Sequence, residues 1–229
     1  MSATSCLEAN AWLCPEYVRT RGPELVEATA QHVGITAAAV GIATVISLPL
    51  ALLARRRAAA GPVLGLTTVL YTVPTLAMYA LLVPVFGISA ATVVCGLVLY
   101  SLTVLVRNIL TGLETVPVEV REAALGMGYG PVRMLFGVEL PLALPALTAG
   151  LRIATVSAVS LTTVGAIVGH GGLGNLIYRG MNSYFKAEVL TASVLCVVLA
   201  VTADLLLLGL QRLATPWARP RNRTGEPAR

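Results

Sequence analysis

Residues 122–141 read "EAALGMGYGPVRMLFGVELP", Glu122 to Pro141, a charged and glycine-punctuated segment in a chain that is otherwise strongly apolar. On both sides of it the apolar residues gather into runs of more than twenty. Each run is long enough to cross a hydrocarbon core ~30 Å thick at about 1.5 Å per helical residue. The 229 residues are 56% apolar and 12% charged, with a mean hydropathy of +0.82. Soluble domains carry roughly a quarter charged residues, so the composition is that of a multi-pass membrane protein without room for a large soluble domain.

The formal net charge is +5. Its basic residues lie at the edges of apolar runs and form no dense patch interleaved with aromatics, which argues against nucleic acid as a partner. Fifteen of them are Arg and one, Lys186, is Lys; with abundant Ala and Gly this is the usage of a prokaryotic genome of high GC content. Lys186 stands between Phe185 and Ala187, so the chain has no Gly-Lys-Ser/Thr phosphate loop.

Five all-helical spans are predicted. "RGPELVEATAQH" starts a helix, with Pro23 at a first position and Glu24 and Glu27 in the opening turns. It leads into span one, about 32–54, stopped by Arg55, Arg56 and Arg57. Span two, about 63–86, carries Pro74 and Pro84, and one or both kink or divide it. Span three covers about 90–110, span four about 144–168 and span five about 189–210. An odd number of spans puts the termini on opposite sides. With the N-terminus outside, Arg55, Arg56, Arg57, Arg107, Arg121, Arg133, Arg152, Arg212, Arg219, Arg221, Arg223 and Arg229 are cytoplasmic, against Arg19, Arg21, Arg179 and Lys186 outside. The positive-inside rule selects that orientation and places the 113–141 loop in the cytoplasm. The first residues lack a charged and then apolar leader, so span one is expected to act as its own insertion signal.

Within the loop, Pro117 begins a helix bearing Glu119, Arg121 and Glu122; Ala123 and Ala124 give it a small-residue surface, and Gly126, Gly128 and Gly130 end it. A second helical stretch starts near Pro131 and stops before Pro141. Two short helices joined by glycines make a knob that fits a partner's groove; the plainer alternative is an amphipathic hairpin on the lipid surface.

The pattern Glu122-Ala123-Ala124, three residues, Gly128, nine residues, Val138-Glu139-Leu140-Pro141 resembles the EAA loop of membrane subunits of binding-protein-dependent ATP-binding cassette importers. That loop runs EAA-x3-G-x9-I-x-LP; Val138 replaces its Ile. The resemblance implies a permease domain over 31–212, preceded by an extracytoplasmic segment, 1–30, and followed by a basic cytoplasmic tail, 213–229. It implies that Glu119, Glu122, Ala123, Ala124, Gly126, Gly128, Leu140 and Pro141 dock a separate ATPase, which alone binds ATP and Mg. It also implies a second permease, identical or homologous, an extracytoplasmic substrate-binding protein, and a place in the prokaryotic inner or plasma membrane. This chain then has no catalytic residue, cofactor or metal of its own.

"TVPTLAMYALLVPVFGI", "LYSLTVLVRNILTGL" and "LRIATVSAVSLTTVGAIVGHGGLGNLIYRGM" look most like permeases for glycine betaine, choline and carnitine; methionine importers share the GGLG signature. His170 stands where that family usually has Ala. A quaternary ammonium solute calls for aromatic faces, and Tyr71, Tyr79 and Tyr100, beside Pro74, are candidates for the route, with ordinary packing as the alternative. Gly171, Gly172, Gly174 and Asn175 are candidates for contact with the binding protein, or a plain surface connector. Cys6 and Cys14 form a small disulfide loop or stay as two thiols. Asp204, a carboxylate inside a span, is read as lying toward the cytoplasmic end and within reach of Arg212 or water. An intramembrane enzyme would need a nucleophile with a base or a metal cluster such as H-E-x-x-H; neither is visible, His32 and His170 both lying near the outer face. An ion-coupled carrier usually shows repeated halves, and no internal repeat is present.

Overall fold

A computed structural model describes residues 5–218. Of the tail, Arg219, Arg221, Arg223 and Arg229 lie outside the described residues. Every regular element among the described residues is helical: α1 (Pro15–Thr20), α2 (Gly22–Ala54), α3 (Arg57–Thr72), α4 (Thr75–Phe86), α5 (Ala90–Glu114), α6 (Val118–Gly126), α7 (Pro131–Met134), α8 (Leu140–Thr162), α9 (Leu173–Asn182) and α10 (Lys186–Ala214). Four helical stretches are long and apolar enough to cross a membrane, and the bent pair α3–α4 makes up to five.

The expected division of span two falls at Pro74. Val73 and Pro74 are extended, and α3 and α4 meet at 102°. The Tyr100 hydroxyl donates to the Val73 carbonyl that this break sets free. Pro84 stays inside α4 without ending it. Breaks at membrane depth persist where protein re-satisfies the freed backbone, and Tyr100 does so here.

One expectation is corrected. The second loop helix does not stop before Pro141: α7 runs through a π turn, Leu135–Glu139, into α8, so one continuous helical rod spans 131–168 with its 3-10 end at Thr163–Val168. Pro141 lacks an N–H and its ring crowds the carbonyl four residues back. The π turn widens the rod at that place, with Leu140 N–H bonded five residues back to Leu135 O. The same proline that was expected to end a helix is accommodated by a local change of pitch.

Helix α5 is the central post and packs on α2, α3, α4 and α8, while α10 rests on α8 and α9. Small residues permit the close crossings: a Cβ on Gly112 would lie 2.9 Å from Ala146 Cβ, and one on Gly150 would lie 2.5 Å from Asn108 Cβ. Without a hydrophobic drive between helices in lipid, such contacts carry the association. The most apolar stretch of α10 has none of its residues buried. That face is covered by lipid or by another protein.

Candidate functional site

Helix α6 carries the first half of the 113–141 loop. Pro117 sits at its N-cap with φ −57° and ψ 141°, and Glu119 lies in the first turn, where the helix dipole favours an acid. Glu119, Glu122 and Ala123 face outward and Ala124 is buried. The helix ends in a Schellman turn: Tyr129 N–H bonds Ala124 O at 3.1 Å, and Gly128 N–H bonds Leu125 O at 2.9 Å. Gly128 takes the left-handed position, φ +80°. Gly126 and Gly130 have ordinary negative φ, so of the three glycines only Gly128 is required by backbone geometry. Beyond the turn, the Arg133 guanidinium stacks 4.3 Å over the Tyr129 ring.

Val118, Leu125, Met127, Val132 and Phe136 are all exposed on this loop. Glu119 and Glu122 on α6 are exposed as well, and large exposed apolar side chains together with charged ones are a composition found at protein interfaces. Leu140 and Pro141 are half-buried at the foot of the loop and anchor it to the rod.

Beneath the surface lies an ion lock that the sequence did not reveal. Glu139, nearly fully buried, accepts a fork from Arg55: Nη1 to Oε2 at 2.7 Å and Nη2 to Oε1 at 2.8 Å. Arg121 Nε stands 3.1 Å from the same Oε1, an ion contact off the line of a hydrogen bond. Arg121 also donates through Nη2 to Leu113 O, a carbonyl in the last turn of α5. Glu139 thus joins the end of α2, the loop helix α6 and the π turn. The hydrogen-bonded carboxylate raises the Arg55 guanidinium above its ordinary value. The readable signal was a carboxylate entering an apolar run with arginines ending another; only the fold pairs positions 84 residues apart.

At the opposite end of the bundle, Arg179 of α9 bridges Glu24 at 2.6 Å and Glu188, through Nε, at 2.7 Å. These two carboxylates raise the Arg179 guanidinium. Burial, helped by Glu188 and Glu24, pushes the nearby Tyr17 phenol up to about 12. Cys6 and Cys14 are joined, with Cα atoms 5.5 Å apart.

The glycines singled out for partner contact lie elsewhere than on the surface. Gly171, Gly172 and Gly174 are buried: a Cβ on Gly172 would come within 2.6 Å of His32 Cβ, and Cβ atoms on Gly171 and Gly174 would strike the backbone of Ala166 and Thr163. They serve the close crossing of the connector over α2 and the 3-10 turn. Asn175 ties the connector, accepting from Gly171 N–H at 2.9 Å and donating to Gly169 O at 3.1 Å. Of the pathway candidates, Tyr79 is fully buried, with its hydroxyl donating to Leu161 O, and its ring would meet any Cβ at Gly96. Tyr100 is buried at the Pro74 break, and Tyr71, stacked edge-on against it, is half exposed. Asp204 pairs with Arg152, not Arg212: Nε to Oδ1 and Nη2 to Oδ2 are both 2.8 Å. Arg152 is therefore paired within the spans, between α8 and α10, and marks neither edge.

The model of the binding-protein-dependent transport system inner membrane component matches residues 35–220. The chain is 36% identical over 206 residues to the osmoprotectant import permease protein OsmW of Salmonella typhimurium, covering 87% of this chain and 96% of that protein. It is 32% identical over 202 residues to the choline transport system permease protein OpuBB of Bacillus subtilis, covering 88% and 93%. A third relative, the glycine betaine/carnitine/choline permease OpuCD of Bacillus subtilis, is 38% identical over 202 residues, covering 87% and 88%. Among solved structures the fold superposes on the inward-facing methionine importer MetNI with TM-score 0.79 at 21% identity, covering 86% of this chain and 98% of that one. The exposed loop with its Schellman glycine, the broken second span and the length of the match converge: the chain belongs to the inner membrane components of binding-protein-dependent transport systems, as the permease subunit of an ATP-binding cassette importer.

Proposed function

We propose that the solute is a compatible solute carrying a quaternary ammonium, of the glycine betaine, choline and carnitine class. It is delivered by an extracytoplasmic binding protein and moved by a separate ATPase acting on the 113–141 loop. The single observation behind the coupling assignment is the loop surface: Leu125, Met127, Val132 and Phe136 are exposed along with Glu119 and Glu122, and Glu139 locks the loop to the end of α2. The solute class rests on the relatives named for choline and osmoprotectant transport. A methionine solute is the second reading, favoured only by the fold neighbour.

In this reading the loop faces the cytoplasm, the N-terminus and the Cys6–Cys14 loop face outward, and two permeases enclose the route. ATP and Mg are bound by the ATPase, whose closure draws the two loops together. One relative, the ergothioneine transport permease/ergothioneine binding protein EgtU of Helicobacter pylori, joins both activities in its name; it is 40% identical over 135 residues, which are 24% of that protein. It supports a binding protein as partner here. Glu122→Lys, which reverses an exposed charge, and Gly128→Trp, which disturbs the turn, are expected to leave the permease in the membrane, release the ATPase and stop uptake. Copurification of a full complement of ATPase with either variant would contradict the assignment.

A further inference from the structure

The Arg152–Asp204 pair joins α8 to α10 within the membrane-spanning stretch. Arg152 is thirteen residues beyond Glu139 on the continuous rod, ~20 Å along a helix rising about 1.5 Å per residue, and Asp204 is sixteen residues beyond Glu188 on α10, ~24 Å from that end. Both levels lie inside the apolar spans, Arg152 eight residues past the start of span four and Asp204 six residues before the end of span five, ~12 and ~9 Å from their cytoplasmic ends. Yet neither side chain is buried: 26% of Arg152 and 32% of Asp204 remain open. They border a cleft of about 480 Å³ lined also by Ala149, Ile153, Val156 and Ser157.

The pair does not saturate itself. Arg152 spends two N–H groups on Asp204, and a guanidinium has five. The other three have no partner among the described residues. Charged groups at this depth turn toward the bundle interior or a watered cavity, because lipid leaves their donors unmet. The cleft is roomy for its position, since a water occupies only ~30 Å³. It sets a guanidinium, a carboxylate and a hydroxyl beside apolar walls from Ile153, Val156 and Ala149. A carboxylate is recognised by the free guanidinium donors. A quaternary ammonium donates no hydrogen bond and is held by a nearby negative charge and apolar contact.

We infer that Arg152, Asp204 and Ser157 form a watered waist of the translocation route, a transient site for a zwitterion that joins a carboxylate to a quaternary ammonium. The inference rests on the compatible-solute reading for the solute, while the watered cleft stands on the half-open ion pair at membrane depth alone. Arg152 meets the carboxylate and Asp204 the cation, so the solute crosses the cytoplasmic half of the core on borrowed partners, and the ion pair re-forms behind it.

The test leaves the ion pair intact. Ser157→Cys is placed in a Cys95→Ala/Cys196→Ala background within the assembled importer in cells, and treated with a water-soluble trimethylammonium-ethyl methanethiosulfonate. We expect the thiol to react, the uptake rate to fall at least about tenfold, equivalent to ~1.4 kcal/mol in barrier, and excess glycine betaine or choline to protect it. Val45→Cys, exposed on the apolar face of α2, should stay unlabelled. An unreactive Ser157→Cys in a transport-competent importer, or labelling that solute does not slow, would overturn the site. Arg152→Gln adds a second readout: glycine betaine uptake should fall about tenfold relative to choline uptake, ~1.4 kcal/mol again, whereas a merely structural role lowers both alike. An untreated parent importer that takes up no trimethylammonium solute would refute the solute reading, while Ser157→Cys labelling still decides whether the cleft holds water.

Discussion

Gly128 shows how one backbone angle can fix a docking surface. At φ +80° any other residue pays for a left-handed conformation, although a Cβ there would touch nothing within 4 Å. Gly128→Ala is therefore expected to cost about 1 kcal/mol through strain alone, and to weaken ATPase association in copurification titrations. Gly126→Ala, in helical backbone with equal room, should leave association unchanged or slightly stronger. The spacing of the EAA pattern made Gly128 legible, because a glycine four residues past an alanine pair reads as a helix stop. The pairing of Arg152 with Asp204 was not legible. Reading Asp204 with Arg212 relied on proximity along one helix, and side chains on adjacent helices outcompeted it.

Among elements, the lock at Glu139 ties α2, α6 and the rod into one lever. The carboxylate is almost wholly buried while Arg55 is about a third exposed, so its removal costs less than a fully buried pair would. Glu139→Gln is expected to lose about 2 kcal/mol, seen as a lower melting temperature in detergent. ATPase should still copurify, since the α6 surface is untouched, but solute moved per ATP hydrolysed should fall; an unchanged ratio in vesicles would show that force travels another way. Run length and the residues that punctuate the runs set the spans to within a few residues at most ends, and the proline at position 74 marked the true break. The continuity through Pro141 was hidden, because a proline read locally ends a helix, and only the widened π turn shows how the chain carries on.

Across the whole molecule, apolar composition and five runs were enough to define a multi-pass helical membrane protein; the EAA resemblance implied a permease, and the family match bears that out. What the sequence could not display were the ion clusters at the two ends: Glu139 with Arg55 and Arg121 at one, Arg179 with Glu24 and Glu188 at the other. The central claim is that the first of these ends faces the cytoplasm and receives an external motor. Leu125→Cys, exposed at the tip of α6, tests it most directly when the other free thiols, Cys95 and Cys196, are replaced by Ala. An impermeant maleimide should leave it unmodified in intact cells and modify it in inverted vesicles, with the bound ATPase shielding it. Modification in intact cells, or reaction in inverted vesicles that added ATPase does not slow, would contradict the account.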